Sequence, residues 1–274
     1  MNAPRTQRPV WTPRAALGLA PAACLALAAP AALADDWDVT IGAGVGYGSA
    51  YEGSDEREVS PIPILDVTYN NRFFLSTQRG LGAYAVNHDD DRDGGSGGLV
   101  EEYFLGVSAR PDFGRAEDDD DRLRGMGDVD LTAEIGAFGG FGVGPVEFEG
   151  EIYHDVADGH GGLRGEISAS VGGGLPSGFA LEAGPFASFG DSTYLESYFG
   201  VTDAQSARSG LARYDAGSGL YAVGVEAMAR YQFDDHWAVG SIAEYARIVG
   251  DAADSPIVEE ENSFEFGGFL TYSF

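Results

Sequence analysis

Apolar and polar residues alternate along much of this chain with a period of two. Between Trp37 and Gly48 every odd-numbered residue is apolar, and every even-numbered residue is glycine, aspartate or threonine. Successive side chains of a β-strand point to opposite faces, so this pattern predicts a strand with one apolar face. The same alternation recurs in the segments 99–108, 128–137, 221–231 and 264–274. The sequence therefore predicts an all-β protein.

Such alternation is typical of soluble sandwiches, whose apolar faces point inward, and of transmembrane barrels, whose apolar faces point toward lipid. The alternating segments run for about 9 to 13 residues, the length that crosses a bilayer at a tilt. Their second face is rich in glycine, serine, threonine and carboxylates, which suits a lumen. Aromatic residues gather at the ends of segments, as in an interfacial girdle. These features predict a closed antiparallel transmembrane β-barrel.

Short and long connections alternate along the chain, which sets the orientation of the barrel. Counting back from Phe274 at the periplasmic side, we predict external loops at 51–60, 110–127, 157–162, 191–217 and 250–262. Turns at 70–71, 139–144, 172–178 and 232–236, and the segment 87–98, are then periplasmic. Both chain ends lie in the periplasm only if residues 72–86 hold two short strands, broken near Gly80-Leu81-Gly82. The count is then twelve strands, with ten as the alternative.

Residues 1–34 have the pattern of a secretory signal peptide. Arg5, Arg8 and Arg14 precede an apolar stretch, and Ala32 and Ala34 supply the small residues before a cleavage site. Cleavage there leaves one barrel domain, residues 35–274, and removes the only cysteine of the sequence. Export without disulfides indicates a Gram-negative cell envelope.

Composition excludes three further classes of protein. The formal charge of −28 leaves no basic face for nucleic acid phosphates. After residue 35 no stretch of about 18 apolar residues occurs, which excludes a bundle of membrane-spanning helices. Yet 44% of the residues are apolar, so the chain is not a disordered acidic polymer.

Several distinctive motifs follow one another in order along the chain. The most specific are the blocks 198–214, which contains Tyr-Phe-Gly-Val-Thr, and 251–258, which contains Asp-Ser-Pro-Ile-Val. Shorter ones are Tyr51-Glu52-Gly53, Pro61-Ile62-Pro63, Gly80-Leu81-Gly82, Leu-Arg-Gly-Met-Gly-Asp at 123–128, His160-Gly161-Gly162 and the final Tyr272-Ser273-Phe274. Together these motifs resemble the MltA-interacting protein (MipA)/OmpV family of outer-membrane proteins, and the resemblance spans nearly all of residues 35–274.

This resemblance implies an outer-membrane barrel without catalytic residues or a cofactor. It also implies a scaffold role, since a founding member links a murein lytic transglycosylase to a murein synthase. Other members are associated with osmotic response, adhesion or antibiotic susceptibility. We therefore expect a non-enzymatic envelope scaffold, in contact with lipid and lipopolysaccharide and with no nucleic acid partner.

An excess of carboxylates on the inward face raises an alternative function. Few arginines share this face, namely Arg72, Arg110, Arg164 and Arg230. A wet lumen with such an excess would favour cations, which predicts a cation-preferring pore or a receptor for small cationic solutes. In the opposing view, arginine–carboxylate networks fill a closed barrel. The acidic lumen face is represented by Glu102, Glu134, Glu149, Glu166 and Glu226.

Acidic runs are weak candidates for metal sites. Asp89, Asp91 and Asp93 form the opening of a calcium loop, but its twelfth position is Val100 and not the glutamate of an EF-hand. The run 117–121 could hold divalent ions that bridge lipopolysaccharide phosphates. For both runs a solvated acidic loop is the alternative.

A lipid hydrolase would need a nucleophile and a base in contact. His154 is the only histidine with outward strand parity, and the predicted register places Gly165 and Val129 opposite it. Neither can serve as a nucleophile or as an acidic partner. His88, His160 and His236 fall in loops, which leaves zinc without a ligand set.

Overall fold

Twelve antiparallel strands close into a barrel in the computed structural model, which describes residues 36–89, 100, 102–175 and 178–274. The strands are β1 Trp37–Ser49, β2 Arg57–Tyr69, β3 Phe73–Ser76, β4 Gly80–Asp89, β5 Glu102–Asp112, β6 Thr132–Val143, β7 Val146–Asp155, β8 Leu163–Gly174, β9 Phe179–Gly190, β10 Gly219–Gln232, β11 Trp237–Ile248 and β12 Asn262–Ser273. Each strand pairs with its neighbours in sequence, and β1 closes the ring against β12 with Ile41 opposite Tyr272. The predicted closed barrel of twelve strands is confirmed, and the alternative of ten is wrong.

Two predicted turns lie elsewhere. The turn between β6 and β7 is only Gly144-Pro145, with Gly144 at φ 59°, so Gly139 to Gly142 continue β6. The shorter turn shifts the β6–β7 register, so His154 lies opposite Ile135 instead of the predicted Val129. In the β7–β8 hairpin its partner is Leu163 instead of the predicted Gly165. The break between β3 and β4 falls at residues 77–79, just before the predicted glycines.

The outward face of the barrel is apolar and open. Val45, Val59 and Leu81 are among the most exposed large residues, with Val59 70% exposed. Aromatic pairs mark the end that carries the short turns, because the ring centroids of Trp37 and Tyr69 lie 4.6 Å apart. Phe179 and Tyr231 form a second pair at 4.6 Å. Both features are those of a barrel embedded in lipid with an interfacial girdle.

Glycines on the inward face make room for aromatic rings. A Cβ atom added at Gly106 would overlap the ring of Phe138, and one added at Gly240 would overlap Phe269. Both rings are buried, at 1% and 9% exposure. The high glycine content therefore lets large rings lie flat against a narrow inner wall.

The longest external connection contains two helices that the alternation did not predict. They are α1 Ser192–Phe199 and α2 Asp203–Ser209. Asp191 caps α1 by accepting from the Tyr194 N–H, and Thr202 with Gln205 forms a capping box on α2. Among the described residues no helix is long and apolar enough to cross a membrane.

The predicted signal peptide lies outside the described residues, and so do Asp91 and Asp93. Asp89 ends β4, and its side chain is likewise outside the description. These predictions stay predictions.

Candidate functional site

Four connections at one end of the barrel pack into a single layer, the external cap: residues 50–56, 113–131, 191–218 and 249–261. One residue or more from each connection enters a shared apolar core. The core consists of Tyr51, Leu123, Met126, Val201 and Ile257, all of them buried. Because these residues come from distant parts of the chain, the cap is a folded unit and not a set of free loops.

Hydrogen bonds between the connections reinforce this core. The Tyr51 hydroxyl donates to the Ile257 carbonyl at 2.7 Å, and the Ser54 hydroxyl donates to Asp120 Oδ2 at 2.6 Å. Further bonds run from Arg122 Nε to Pro256 O (3.0 Å), Gln205 Nε2 to Met126 O (2.8 Å), Arg208 Nε to Gly125 O (2.9 Å) and Ser255 Oγ to Phe199 O (2.5 Å). Burial, and then the nearby Asp120 carboxylate, raise the pKa of the Tyr51 hydroxyl above its ordinary value.

Helix α1 anchors the cap to the barrel rim. Its Tyr194, Leu195 and Phe199 are buried against Tyr221 of β10 and Ile248 of β11. A single apolar cluster thus joins the cap to two strands, so movement of α1 requires exposure of these side chains to water.

The acidic run 117–121 serves partly as an acceptor within the cap. Glu117 Oε2 accepts the N–H groups of Gly125 at 3.1 Å and Gly127 at 3.0 Å. Asp120 is 6% exposed, so the alternative of a solvated acidic loop does not apply to this residue. Fewer carboxylate oxygens of this run are therefore available to bind a divalent ion.

A buried charged layer lies directly beneath the cap, centred on Glu134. Its side chain is fully buried and accepts from Arg110 Nε at 3.0 Å and from Arg164 Nε and Nη2 at 2.8 Å. Arg164 Nη2 also donates to Asp112 Oδ2 at 2.8 Å. Tyr198 of α1 reaches into this layer, where its hydroxyl donates to Asp112 Oδ1 at 2.8 Å. Burial, and then the Asp112 carboxylate, raise the pKa of Tyr198.

His160 belongs to the same layer, although it was expected in a solvated loop. It is 3% exposed, and its Nε2 lies 3.2 Å from Glu134 Oε1. The Gly162 N–H donates to its Nδ1 at 3.1 Å, so Nε2 carries the proton and donates to Glu134. Asp112, Glu134 and His160 are close enough to surround a metal ion. Since the histidine proton and two arginines already occupy these atoms, the donor set does not suit a cation.

An aromatic layer lies on the inner wall of β3 to β6, below the charged layer. Phe74, Tyr84, Phe104 and Phe138 contact one another with centroid separations of 5.1 to 6.3 Å. Arg79, from the β3–β4 turn, lies 4.5 Å above the Phe138 ring and forms an ion pair with Glu149. The turn therefore reaches inward as far as β7.

The five predicted lumen glutamates fall into three places. Glu134 lies in the charged layer, and Glu102 begins β5 near the opposite end of the barrel. Glu149, Glu166 and Glu226 are within electrostatic reach of one another. Ser188 donates to Glu166 at 2.7 Å, whereas no arginine of the described residues pairs with Glu226.

The alternating pattern did not predict that Arg79 and His160 face the lumen, because both lie outside the alternating segments. It included Arg72, which is exposed in a turn near Phe73. His154 is exposed, and its Nδ1 lies 3.1 Å from the Gly162 carbonyl. Its cross-strand neighbours Ile135 and Leu163 offer no nucleophile.

Known outer-membrane proteins are similar to this chain. MltA-interacting protein of Escherichia coli strain K12 is 26% identical over 86% of this chain and 90% of its own length. Outer membrane protein OmpV of Vibrio cholerae is 25% identical over 58% of this chain and 60% of its own length. Among solved structures, a loop-deletion mutant of the Vibrio cholerae outer membrane protein OmpT covers 87% of this chain and 98% of its own, at 10% identity and a TM-score of 0.36.

Residues 41–274 match the family described as MltA-interacting protein MipA. The match includes β2 to β12, most of β1 and the whole external cap, where the blocks 198–214 and 251–258 lie. The chain is therefore an outer-membrane β-barrel that belongs to the MltA-interacting protein MipA family.

Proposed function

We propose that this protein is a non-enzymatic envelope scaffold whose lumen is closed. The observation that carries the proposal is the series of three barriers along the barrel axis. The external cap, the layer around Glu134 and the rings around Phe138 follow one another. A barrel filled in this way resists passage of solutes and offers its two ends as binding surfaces.

The partner class follows from the name of one relative. MltA-interacting protein of Escherichia coli carries a partner in its printed name. We infer that this chain binds a murein lytic transglycosylase and, together with it, a murein synthase. Contact with lipid and lipopolysaccharide is part of the same proposal, supported by the exposed apolar side chains of Val45 and Val59.

The absence of catalysis is also part of the proposal. His154 faces outward beside Ile135 and Leu163, and His160 is bound to Glu134. Neither imidazole contacts a serine or cysteine nucleophile among the described side chains, so neither has the partner that acyl transfer needs. The related proteins are named as outer membrane or MltA-interacting proteins and not as enzymes.

The second candidate function is a cation-preferring pore or receptor. The cluster of Glu149, Glu166 and Glu226 favours it, because Arg79 pairs with Glu149 whereas Glu226 has no arginine partner among the described residues. Rings of carboxylates select cations where a lumen is wet.

Conductance of the purified protein in a planar bilayer separates the two functions. A closed scaffold gives no steady current at moderate voltage, whereas a cation-preferring pore gives discrete steps that carry cations over anions. The Leu105→Ala variant, which changes one outward side chain, is the matched control for reconstitution. Steady cation-selective steps from the unmodified protein would contradict the closed scaffold.

The partner is tested by cross-linking in intact envelopes, followed by purification of the barrel. We expect a lytic transglycosylase among the cross-linked proteins, and its loss when the enzyme gene is deleted. Recovery of no murein enzyme, with the barrel itself recovered in full, would contradict the scaffold role.

A further inference from the structure

The barrel wall is incomplete on the external half, next to β2. Strand β3 has four residues, and its ladder with β2 ends at the pair Asp66–Ser76. Within the described residues, 57–64 of β2 therefore pair with β1 alone. Across the opening, residues 110–112 of β5 pair with β6 alone, because the β4 ladder ends at Leu81 opposite Ala109.

Prolines occupy the side of β2 that faces this opening. The Leu65 N–H and carbonyl bond to Thr77, which directs the backbone groups of Leu65 toward β3. Backbone direction alternates along a strand, so Pro61 and Pro63 direct their nitrogens the same way. Proline has no N–H, and these two positions present no backbone donor to the opening.

On the opposite edge of the opening, formed by β5, a proline also faces the opening. The Ala133 carbonyl accepts from the Val156 N–H, so the backbone groups of Ala133 point toward β7. Pro111 is the partner of Ala133 in the β5–β6 ladder, and its nitrogen therefore points away from β6 and into the opening.

The remaining strand proline provides a contrast. Pro185 lies in β9, between two full-length neighbours. There the described β8–β9 ladder has no pairs between Ser168–Phe186 and Val171–Ala183, so the proline interrupts a ladder. Pro61, Pro63 and Pro111 instead lie where a ladder has already ended.

An edge that lacks two of its N–H donors is better suited to hydrocarbon than an unbroken one. An unpaired N–H costs several kcal/mol inside a bilayer, roughly the free energy of a lost hydrogen bond in an apolar medium. The outward side chain of Val59 beside the opening is exposed, and Ile62 and Phe74 are buried on the inside. Arg110 and Asp112 of the charged layer lie on the inside at the β5 edge. The β2 edge also discourages a partner strand, which would find no donors at the two prolines of β2.

We propose that this opening, bounded by β2 residues 57–64 and β5 residues 110–112, is a lateral entry through which an acyl chain of an outer-leaflet lipid reaches the lumen. The β3–β4 turn forms its lower edge, and the external cap lies above it. The membrane itself supplies the occupant, because the outward side chains that flank the opening, Val59 and Leu81, are apolar and exposed as on a lipid-facing wall.

Lipids with brominated acyl chains test the proposal, because bromine quenches a fluorophore only on close approach. Residues 36–274 contain no cysteine, so single cysteines can be labelled with bimane. Ser60→Cys places the label inside next to the opening, and Val59→Cys places it outside in lipid. Ser168→Cys places it on the inward face of β8, six strands around the ring. Each variant is reconstituted in dioleoyl phosphatidylcholine vesicles and in their dibrominated counterpart.

We expect quenching at Ser60→Cys to be comparable with that at Val59→Cys and several-fold greater than at Ser168→Cys. If Ser60→Cys does not fold, Ile64→Cys takes its place, because Ile64 also faces inward and lies four residues further along β2. Quenching beside the opening no greater than at Ser168→Cys would overturn the proposal. A photo-crosslinker at Val59 that captured a polypeptide in intact envelopes would also overturn it, because a protein strand would then cover the edge.

Discussion

Glu134 is the single side chain on which the charged layer depends most. It is fully buried and accepts hydrogen bonds from Arg110, Arg164 and His160. The substitution Glu134→Gln removes the negative charge and leaves two buried guanidinium groups with fewer counter-charges. We expect it to lower the free energy of unfolding by about 3–5 kcal/mol, the usual cost of breaking a buried ion pair. Urea unfolding in detergent or vesicles measures this change.

Glu226 supplies the matched control, because it is also an inward-facing glutamate. It lies among Glu149, Glu166 and Glu182 and has no arginine partner among the described residues. Neutralising it as Glu226→Gln relieves repulsion between like charges, so the free energy of unfolding should stay equal or rise. Equal losses for both variants would contradict the role assigned to the Glu134 network.

Tyr51 makes the cap sensitive to alkaline pH. Its pKa is raised in the folded protein, so the folded form holds the phenolic proton more tightly than the unfolded chain does. The resulting stability is complete below the ordinary tyrosine pKa of about 10 and declines as pH rises above that value. Hydrogen–deuterium exchange of the cap amides, followed between neutral and alkaline pH, measures this decline.

The Tyr51→Phe variant isolates the contribution of the hydroxyl. Loss of its bond to the Ile257 carbonyl should weaken the cap by about 1 kcal/mol at neutral pH. The same variant should respond less steeply to alkaline pH, because the ring no longer ionises. If alkaline pH weakened the cap equally in the unmodified protein and in Tyr51→Phe, ionisable groups other than Tyr51 would be responsible.

At the scale of residues, the period of two predicts which carboxylates face inward. It could not place Arg79 or His160, because residues in turns have no strand parity. Their positions depend on which way a turn folds, and this is decided by distant contacts with Glu149 and Glu134.

Strand β2 is the element whose edge chemistry can be tested most directly. The Pro63→Ala substitution adds an N–H that faces the opening in the wall and finds no partner there. We expect it to lower the free energy of unfolding by roughly 1–3 kcal/mol, the cost of a buried donor without an acceptor. Equilibrium unfolding of the reconstituted barrel measures it.

Pro145→Ala is the comparison variant, since Pro145 lies in the short turn between β6 and β7. Both substitutions remove a proline and so increase the conformational entropy of the unfolded chain. This lowers the free energy of unfolding by about 0.4–1 kcal/mol in each variant. Only the β2 variant adds an unpaired donor within hydrocarbon. Equal effects of the two would show that the opening does not expose the β2 edge to lipid.

Elements were predictable where alternation is long and uninterrupted, as in β1, β10 and β12. The turn before β7 was misplaced, because glycine at residues 139, 140, 142 and 144 fits either a turn or an inner wall. Helices α1 and α2 were missed for a different reason. They are only eight and seven residues long, and packing on Tyr221 and Ile248 stabilises α1 more than its own sequence does.

For the molecule as a whole, the barriers act in series, so opening one of them should not produce a pore. Leu123→Asp with Ile257→Asp places charges in the core of the cap and opens it, while the rings remain. Phe104→Ala with Phe138→Ala removes two rings, while the cap remains. We expect neither pair alone to give steady conductance in planar bilayers.

All four substitutions combined with Glu134→Gln, which weakens the charged layer as well, should give cation-selective steps, because the remaining carboxylates then line a continuous path. Large currents after opening the cap alone would show that the aromatic layer does not block the lumen.

At this scale the sequence predicted the class of fold, the strand number and the placement of long loops at one end. It did not predict that the long loops would form a packed cap. The alternation of apolar and polar residues indicates only which way the side chains of one strand face. The cap depends instead on contacts between segments far apart in the chain, such as Tyr51 with Ile257.

The composite core of the cap has a consequence for recognition at the cell surface. Residues 51, 123, 201 and 257 meet only in the finished barrel, so the outermost surface is a discontinuous epitope. Antibodies raised against isolated loop peptides should bind the denatured chain and miss the native one. Antibodies raised against whole cells should bind the native barrel and miss the denatured chain. Their binding would therefore show that the barrel is correctly inserted in the membrane.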